Sequence, residues 1–467
     1  MLVYNTLTHE KEEFVPLKGN RVTMFVCGVT PYDYSHLGHA KTYVAFDAIA
    51  RYLRHKGYNV LYVQNVTDVD DHIINRSAET GVSEPELAEK FFKHFLEDME
   101  ALGVESINVF AKATEFMAEI IEQIKGLIEK GYAYDVDGNV YYEVRKFKGF
   151  GKLSRQKLDE LRPGARVEID ESKRNPEDFA LWKKQKPGEP AWESPWGMGR
   201  PGWHIEDTAI AMAHFGEQYD IHGGATELIF PHHESEIAQA EALTGVEPYV
   251  KYWLHTGILN VEGEKMAKSL DNFWTIRDAM TEYRPEVLRF FLLYAHYRSP
   301  IDFSKDQLEE AKRSYQRLVD SLETASQFLP RAESGETESG KKLVEAAEKA
   351  EKQFEEVMDD DFNTREAISL LFELARELNV AVEKSADKDS LERGLGTFTK
   401  LAGVLGLFPE RGAETEAIDR ILELIMEIRE KARSKKDYET ADWIRSELEK
   451  LGIRLEDTGK GVVKKAR

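Results

Sequence analysis

Arg21-Val-Thr-Met-Phe-Val-Cys27 and Asn59-Val-Leu-Tyr-Val-Gln-Asn65 are two apolar runs of strand length, and the chain between them decides the fold. The first run ends in the turn Gly28-Val-Thr-Pro-Tyr-Asp33. From Leu37 to His55 the residues Tyr43, Phe46, Ile49, Ala50 and Leu53 recur on one helical face. Gly57 ends that helix, and the second run follows at once. Strand, helix and strand with short connections predict a parallel βαβ unit, hence an α/β fold.

Helical periodicity continues over 84–102 and over 114–130, with Thr114 as the expected N-cap. Residues 132–201 differ, holding turn signals, three tryptophans and six prolines. They read as an insertion between two halves of one α/β domain. The second half resumes near Gly202, with a helix over 208–214, strands near 219–222 and 228–230, and a helix over 232–244. Past Pro285 the pattern is helical: 309–329 and 341–358, then 365–383 and 391–405. The linker 409–416 introduces a last unit with helices over 418–432 and 438–451.

At 467 residues the chain has room for about three domains. A hydrophobic fraction of 42% and 49 aromatic residues (7 Trp, 19 Tyr, 23 Phe) exclude a wholly disordered chain. The net charge of −22 argues against gripping nucleic acid through global charge, so any such contact must be local. Cys27 is the one cysteine. It cannot form an internal disulfide, which fits a reducing compartment. No apolar run approaches the length of a membrane span, and the first residues lack the apolar core of a signal peptide. The expectation is a soluble, cytoplasmic protein.

Gly197-Met-Gly199-Arg-Pro-Gly202 formally matches G-x-G-x-x-G, but Pro195-Trp196 precede it and Pro201 lies inside it. It reads as a loop and not as a dinucleotide fingerprint. No G-x-x-x-x-G-K-[ST] occurs, which excludes a P-loop. His36-Leu-Gly38-His39 is more informative, because it opens the first helix after the first strand. Helix N-termini favour phosphate, two histidines three apart can donate to one group, and Gly38 would let a flat ring approach the backbone. Alone, such a pair is commonly coincidence. Glu264-Lys265-Met-Ala-Lys268-Ser269 adds a cationic pair suited to a departing pyrophosphate, although a lone lysine pair is usually a solvated charge run.

Together these two segments resemble the paired signature motifs of class I aminoacyl-tRNA synthetases. Further stretches resemble the cysteinyl-tRNA synthetase family: Phe25-Val-Cys27-Gly-Val-Thr-Pro-Tyr-Asp33, Asn65-Val-Thr-Asp-Val-Asp-Asp71, Gly202-Trp-His-Ile-Glu206, Asp220-Ile-His-Gly-Gly224 and Phe230-Pro-His-His-Glu-Ser-Glu236. The likeness runs on through Asp359-Asp-Asp-Phe-Asn-Thr364 to Leu455-Glu-Asp-Thr458, so it spans essentially the whole chain. The resemblance implies a Rossmann-type parallel-sheet catalytic domain with an insertion, followed by an α-helical bundle and a small C-terminal module. Its implied divisions are 1–130 and 202–250 for the two catalytic halves, with 131–201 as the connective insertion. Residues 251–308 carry the signature lysines, 309–408 the tRNA-binding bundle and 409–467 the anticodon-binding module.

The implied activity is ATP-dependent activation of L-cysteine and its transfer to tRNA(Cys), by a monomer. Two alternatives stand beside it: a cysteine ligase of thiol biosynthesis sharing the catalytic domain, and a catalytically silent tRNA-binding relative. The family recognises the cysteine thiolate through Zn2+, and Cys27, His232 and Glu236 match three of its ligand positions. Where the family usually has a second cysteine, this chain has Asp207. Aspartate is a legitimate zinc ligand of the same charge. Direct ligation by Asp207 is expected, with Asp207 off the metal as the alternative. His233 and Glu234 are expected to point elsewhere. By the same resemblance, Thr67 and Trp203 line the cysteine pocket beside Cys27. His36, His39, Gly38, His222 and Lys268 surround ATP with its Mg2+, and His36, His39, Lys265 and Lys268 are catalytic. Glu227 stands where the family typically has aspartate. For RNA contact, basic residues gather at Arg429, Lys431, Arg433, Lys435 and Lys436, and again at Lys460, Lys464, Lys465 and Arg467. Tyr438 and Trp443 could stack on bases or belong to the core.

Overall fold

The computed structural model of the protein describes residues 1–158, 172–266, 272–408, 424–425, 428–429, 431–433, 437–450, 453–458 and 461–466. Leu2–Asn5 (β1) and Glu10–Glu13 (β2) form an antiparallel hairpin whose polar second strand lacks a strand-like sequence. Next come β3 (Arg21–Val29), α1 (Leu37–His55) and β4 (Asn59–Val66), the predicted unit, with the helix bounds as read. They are followed by α2 (Asp71–Thr80), α3 (Glu84–Ala101), β5 (Val109–Lys112) and α4 (Met117–Glu129). Thr114 is not the cap of α4. It lies in a 3-10 turn before it, and its hydroxyl donates to Asp68 Oδ2 at 2.6 Å.

The insertion is an antiparallel sheet of β6 (Ala133–Val136), β7 (Asn139–Tyr142), β8 (Phe179–Lys184) and β9 (Gly199–Pro201), in that order. Lys183 and Arg200, on β8 and β9, both pair with Asp71 at the start of α2 and tie the insertion to the first half of the α/β domain. The chain returns through α5 (Trp203–Phe215), β10 (Tyr219–Ala225), α6 (Glu234–Thr244) and β11 (Val250–Thr256). The strand expected near 228–230 is absent. A 3-10 turn over Thr226–Leu228 and a π-helical turn over Ile229–His233 replace it and delay α6 to Glu234. Pro231, with no N–H to give a ladder, suits this irregular path.

The central sheet has the order β11-β10-β3-β4-β5, and every pair in it is parallel. The order turns back at β3, whose neighbours are β4 and β10. Both faces of β3 are covered, which explains its near-continuous apolar sequence. Val22, Met24 and Val26 join the cluster built on α1, whereas Phe25 joins the one built on α4, α5 and α6. Cys27 alternates with Val26 and so shares the face of Phe25. At the other end, Asp220 of β10 accepts from the Thr23 amide (2.9 Å) and hydroxyl (2.7 Å), fixing the β3–β10 register.

Beyond β11 a small sheet, β12 (Leu259–Val261), β13 (Glu264–Lys265) and β14 (Ile301–Phe303), brackets α7 (Ile276–Glu282) and α8 (Pro285–Leu293). The bundle follows as α9 (Lys305–Phe328), α10 (Glu338–Met358), α11 (Thr364–Glu383) and α12 (Lys388–Val404). Buried Arg289 of α8 donates to Asp47 Oδ2 of α1 at 2.5 Å, and also to the carbonyls of Leu102, Gly103 and Leu405. One guanidinium thereby fastens three parts of the chain. Residues up to Phe408 form one compact unit and Pro409–Arg467 a second. In the second, α13 (Tyr438–Lys450) packs on an antiparallel hairpin of β15 (Ile453–Thr458) and β16 (Gly461–Ala466).

Candidate functional site

In an open parallel sheet, ligands bind beyond the carboxyl ends of the strands where the order reverses. Here that place is the end of β3 and β10, and Cys27 stands there, buried. Asp207 reaches it from the first turns of α5, and His232 and Glu236 from the π turn and the start of α6. Cys27 Sγ is 3.3 Å from Asp207 Oδ2. His232 Nε2 is 3.0 Å from that same oxygen and 3.1 Å from Glu236 Oε1. Four ligands around a tetrahedral ion at about 2.0–2.3 Å lie roughly 3.3–3.8 Å apart. The spacing of this quartet is close to that.

The donor chemistry fits as well. An imidazole nitrogen carries at most one hydrogen, so His232 Nε2 cannot satisfy both carboxylates facing it. Among the described residues, neither oxygen of the fully buried Glu236 has a hydrogen-bond partner. Burial, then the charges of Asp207 and Glu236, pushes the Cys27 thiol well above its usual range. Burial and Asp207 do the same to Glu236. A divalent cation among these groups would invert both shifts. Asp207 is also held from behind: Asn65 Nδ2 donates to its Oδ1 at 2.7 Å, and Asn65 Oδ1 accepts from the Gly28 amide at 2.6 Å.

A second set of donors overlaps the first. His233 Nε2 lies 3.1 Å and His222 Nε2 3.4 Å from Cys27 Sγ, so Cys27, His222, His233 and Glu236 also converge. His233 therefore does not point elsewhere. Its Nδ1 meets His255 Nε2 at 2.7 Å, and His255 Nδ1 meets Thr6 Oγ1 at 2.7 Å. His222 Nδ1 is held by the Tyr219 hydroxyl. Burial, before any neighbouring charge, lowers both imidazoles well below the ordinary histidine range, leaving them neutral. Glu234 does turn away, accepting from the Leu153 (3.1 Å) and Ser154 (2.8 Å) amides of the insertion.

Residues 13–313 match the family described as tRNA synthetases class I (C) catalytic domain, and residues 353–409 match the DALR domain. The chain is 53% identical to the cysteine–tRNA ligase of Thermococcus gammatolerans, across 99% of this chain and 98% of that one. It is 52% identical to the cysteine–tRNA ligase of Pyrococcus horikoshii, with the same coverage. The chain belongs to the cysteine–tRNA ligase family. Among solved structures, Mycobacterium tuberculosis methionyl-tRNA synthetase in complex with methionyl-adenylate superposes with a TM-score of 0.61 at 17% identity, over 87% of this chain and 94% of that one. This is a likeness of fold. It agrees with the Rossmann-like parallel sheet.

The other expected residues fall into two groups. Trp203 is partly exposed and stacks on the His232 ring, 4.1 Å between centroids at 11°. Thr67 is buried and receives Asn65 Nδ2 at 3.3 Å. His222, expected beside the nucleotide, stands against Cys27. At the start of α1 the rings of His36 and His39 stack at 3.8 Å, and each Nδ1 accepts the other residue's backbone N–H at 3.3 Å. A neutral ring in that arrangement carries its proton on Nε2. Burial, then His36, lowers the pKa of His39 well below its ordinary value. A Cβ on Gly38 would come 2.9 Å from the His36 ring and 3.9 Å from Met266 Cε. Gly38 is thus required by the histidine beside it, and Met266 of the lysine segment lies over it.

The backbone of Lys265 pairs with Asn260 in β13, while Lys268 lies outside the described residues. Glu227 sits in the 3-10 turn after β10. In the second unit Arg429 is buried, which removes it from any surface patch. Tyr438 and Trp443 are 59% and 63% exposed and do not belong to a core. Lys464 and Lys465 lie on β16, and Lys435, Lys436, Lys460 and Arg467 lie outside the described residues. Sequence reasoning missed Asn65 and His255. Asn65 stood inside a quoted motif, but nothing in one sequence ties it to Asp207.

Proposed function

We propose that the protein activates L-cysteine with ATP and transfers it to tRNA(Cys), with Zn2+ held by Cys27, Asp207, His232 and Glu236. The observation that carries this reading is the buried donor quartet at the switch point, in a chain about half identical over its whole length to cysteine–tRNA ligases. Bound there, the ion would supply selective affinity for the soft thiolate over serine's hydroxyl. Trp203 and Thr67 then enclose the cysteine side chain. Its carboxylate attacks the α-phosphorus of ATP, forming a P–O bond as the bond to the bridging oxygen breaks and pyrophosphate leaves.

His36 and His39 donate from Nε2 to the phosphate oxygens, beside the amides at the start of α1. Lys265 and Lys268, with Mg2+, offset the charge gathering on pyrophosphate. In the second step the 2′-hydroxyl of the terminal adenosine attacks the cysteinyl carbonyl, and AMP departs. Positioning and charge stabilisation carry both steps. The single cysteine of the chain suits a reducing cytoplasm.

The decisive measurement is cysteine-dependent ATP–pyrophosphate exchange, followed by charging of tRNA(Cys), with metal analysis on the same preparation. Absence of exchange would sink the enzyme reading. Exchange without charging would favour a cysteine ligase with a different acceptor, and an active metal-free protein would refute the zinc site.

A further inference from the structure

Among the described residues, Lys41 has no carboxylate within ion-pair distance. It lies on α1 two residues after His39 and is only 2% exposed, yet none of the ion pairs among the described residues includes it. Its Nζ donates instead to two main-chain carbonyls, Ile258 at 3.2 Å and Ser299 at 2.5 Å. Burial lowers its pKa from the ordinary lysine value to about 7. A buried ammonium held only by carbonyls costs the fold free energy, so its worth has to be sought in geometry.

The two carbonyls stand at one place in the architecture. Ile258 immediately precedes β12, and Ser299 comes just before β14. Those strands run parallel, and β12 also carries β13 with Lys265. Gly257 donates to Tyr297 O at 2.9 Å, and a Cβ on it would meet Arg298 O and Ser299 O at 2.5 Å, so the two segments cross at closest approach. The far end of the lysine segment is stitched to the same helix start. Leu37 N donates to Trp274 O (3.2 Å) and Ile276 N to Ser35 O (2.9 Å), with a bridge between His36 and Thr275. Main-chain bonds secure that end; at the near end the hydrogen bonds to α1 come from side chains, Thr42 Oγ1 meeting Thr256 Oγ1 at 2.9 Å at the end of β11, and Lys41 reaching past it to the Ile258 and Ser299 carbonyls at the base of β12 and β14.

We propose that Lys41 is a positioning residue that ties the helix carrying His36 and His39 to the base of the lysine-bearing hairpin, setting where β12 and β13 stand relative to the two histidines. The proposal rests on the activity proposed above for its kinetic consequence. Its structural consequence does not depend on turnover.

The test compares Lys41→Met and Lys41→Arg with the wild-type full chain. In Lys41→Met, kcat for pyrophosphate exchange should fall about 10- to 100-fold, as expected when reacting groups are displaced by an ångström. KM for cysteine and bound metal should stay within twofold, because the donor cluster is built from β3, β10, α5 and α6 and not from the lysine hairpin. Lys41→Arg, which retains two donors, should recover most of the rate. Amide hydrogen exchange supplies the second readout: Leu259–Val261 and Ile301–Phe303 should exchange faster in Lys41→Met, with the central strands unchanged.

Unchanged hydrogen exchange in those segments overturns the proposal. So does a wild-type kcat in Lys41→Met, or a loss spread over the whole sheet that arginine does not rescue. If the wild-type protein itself performs no pyrophosphate exchange, the activity reading fails, and hydrogen exchange still decides the role of Lys41.

Discussion

At Asp207 the two carboxylate oxygens divide their contacts. Oδ2 faces Cys27 and His232, while Oδ1 takes the amide of Asn65. Asp207→Asn keeps the size but removes the anion, so metal affinity should drop by more than tenfold in a chelator competition. Asp207→Cys should raise it and add sulfur charge-transfer intensity to the Co2+-substituted protein. Asn65→Ala should weaken metal binding by about 10- to 100-fold through its loss of hold on Asp207. If Asn65→Ala binds metal like wild type, Asn65 is not the support described. Gly38→Ala forces a Cβ to 2.9 Å from the His36 ring. Exchange kcat should fall by about tenfold or more with bound metal unchanged, since the strain lies at the start of α1 and not in the donor cluster.

Among the elements, the Asp47–Arg289 contact is the clearest stabilising link outside the site. Both side chains are buried, 0% and 2% exposed. Arg289→Met leaves Asp47 with Arg51 as its cation at 2.8 Å, but it breaks a buried pair and strips the Leu102, Gly103 and Leu405 carbonyls of their donor, so it should cost about 3 kcal/mol in denaturant unfolding. Burial pushes the Asp47 carboxyl up, but the charges of Arg289 and Arg51 outweigh it and hold it below its ordinary value. A carboxyl with a depressed folded pKa adds stability above its unfolded pKa and loses it as pH falls through the folded one. The contribution should therefore start to decline as pH drops below about 4 and be gone only below the lower folded value, and Asp47→Asn should flatten that limb of the stability profile.

The same scale shows what could be read beforehand. The bounds of α1 were legible because Gly57 and a strong apolar face mark them. The turn over Ile229–His233 was not. Helical spacing puts His232 and Glu236 on one face and sends His233 away, but a π turn, with Phe230 in extended geometry, brings both histidines inward. The β15–β16 hairpin went unread because its strands are short and Arg454, Glu456, Asp457, Lys464 and Lys465 interrupt their apolar pattern. The place of Asp207 in the donor cluster was legible from its position in a pattern. Asn65 was not, since its role exists only across 142 residues of chain.

Over the whole molecule, a net charge of −22 meets a polyanionic partner. Binding must rest on few phosphate contacts, each contributing a slope of about −0.7 to −0.9 in log K against log salt. The KM for tRNA should climb with salt while pyrophosphate exchange, which uses no RNA, holds its rate. A salt-insensitive tRNA KM would remove phosphate contacts from the account.

One sulfhydryl in 467 residues also makes the protein its own assay. Any alkylating reagent reports on a single atom, Cys27 Sγ, at the centre of the donor cluster. With metal bound, that atom should resist the reagent; after chelation it should react to a stoichiometry of one, and slowly, since burial and two carboxylates hold the thiol protonated. Among thiols, peroxide has the same lone target, the ten methionines being its other sulfur sites. With no second thiol to resolve a sulfenic acid as a disulfide, damage there would pass directly towards the irreversible oxides.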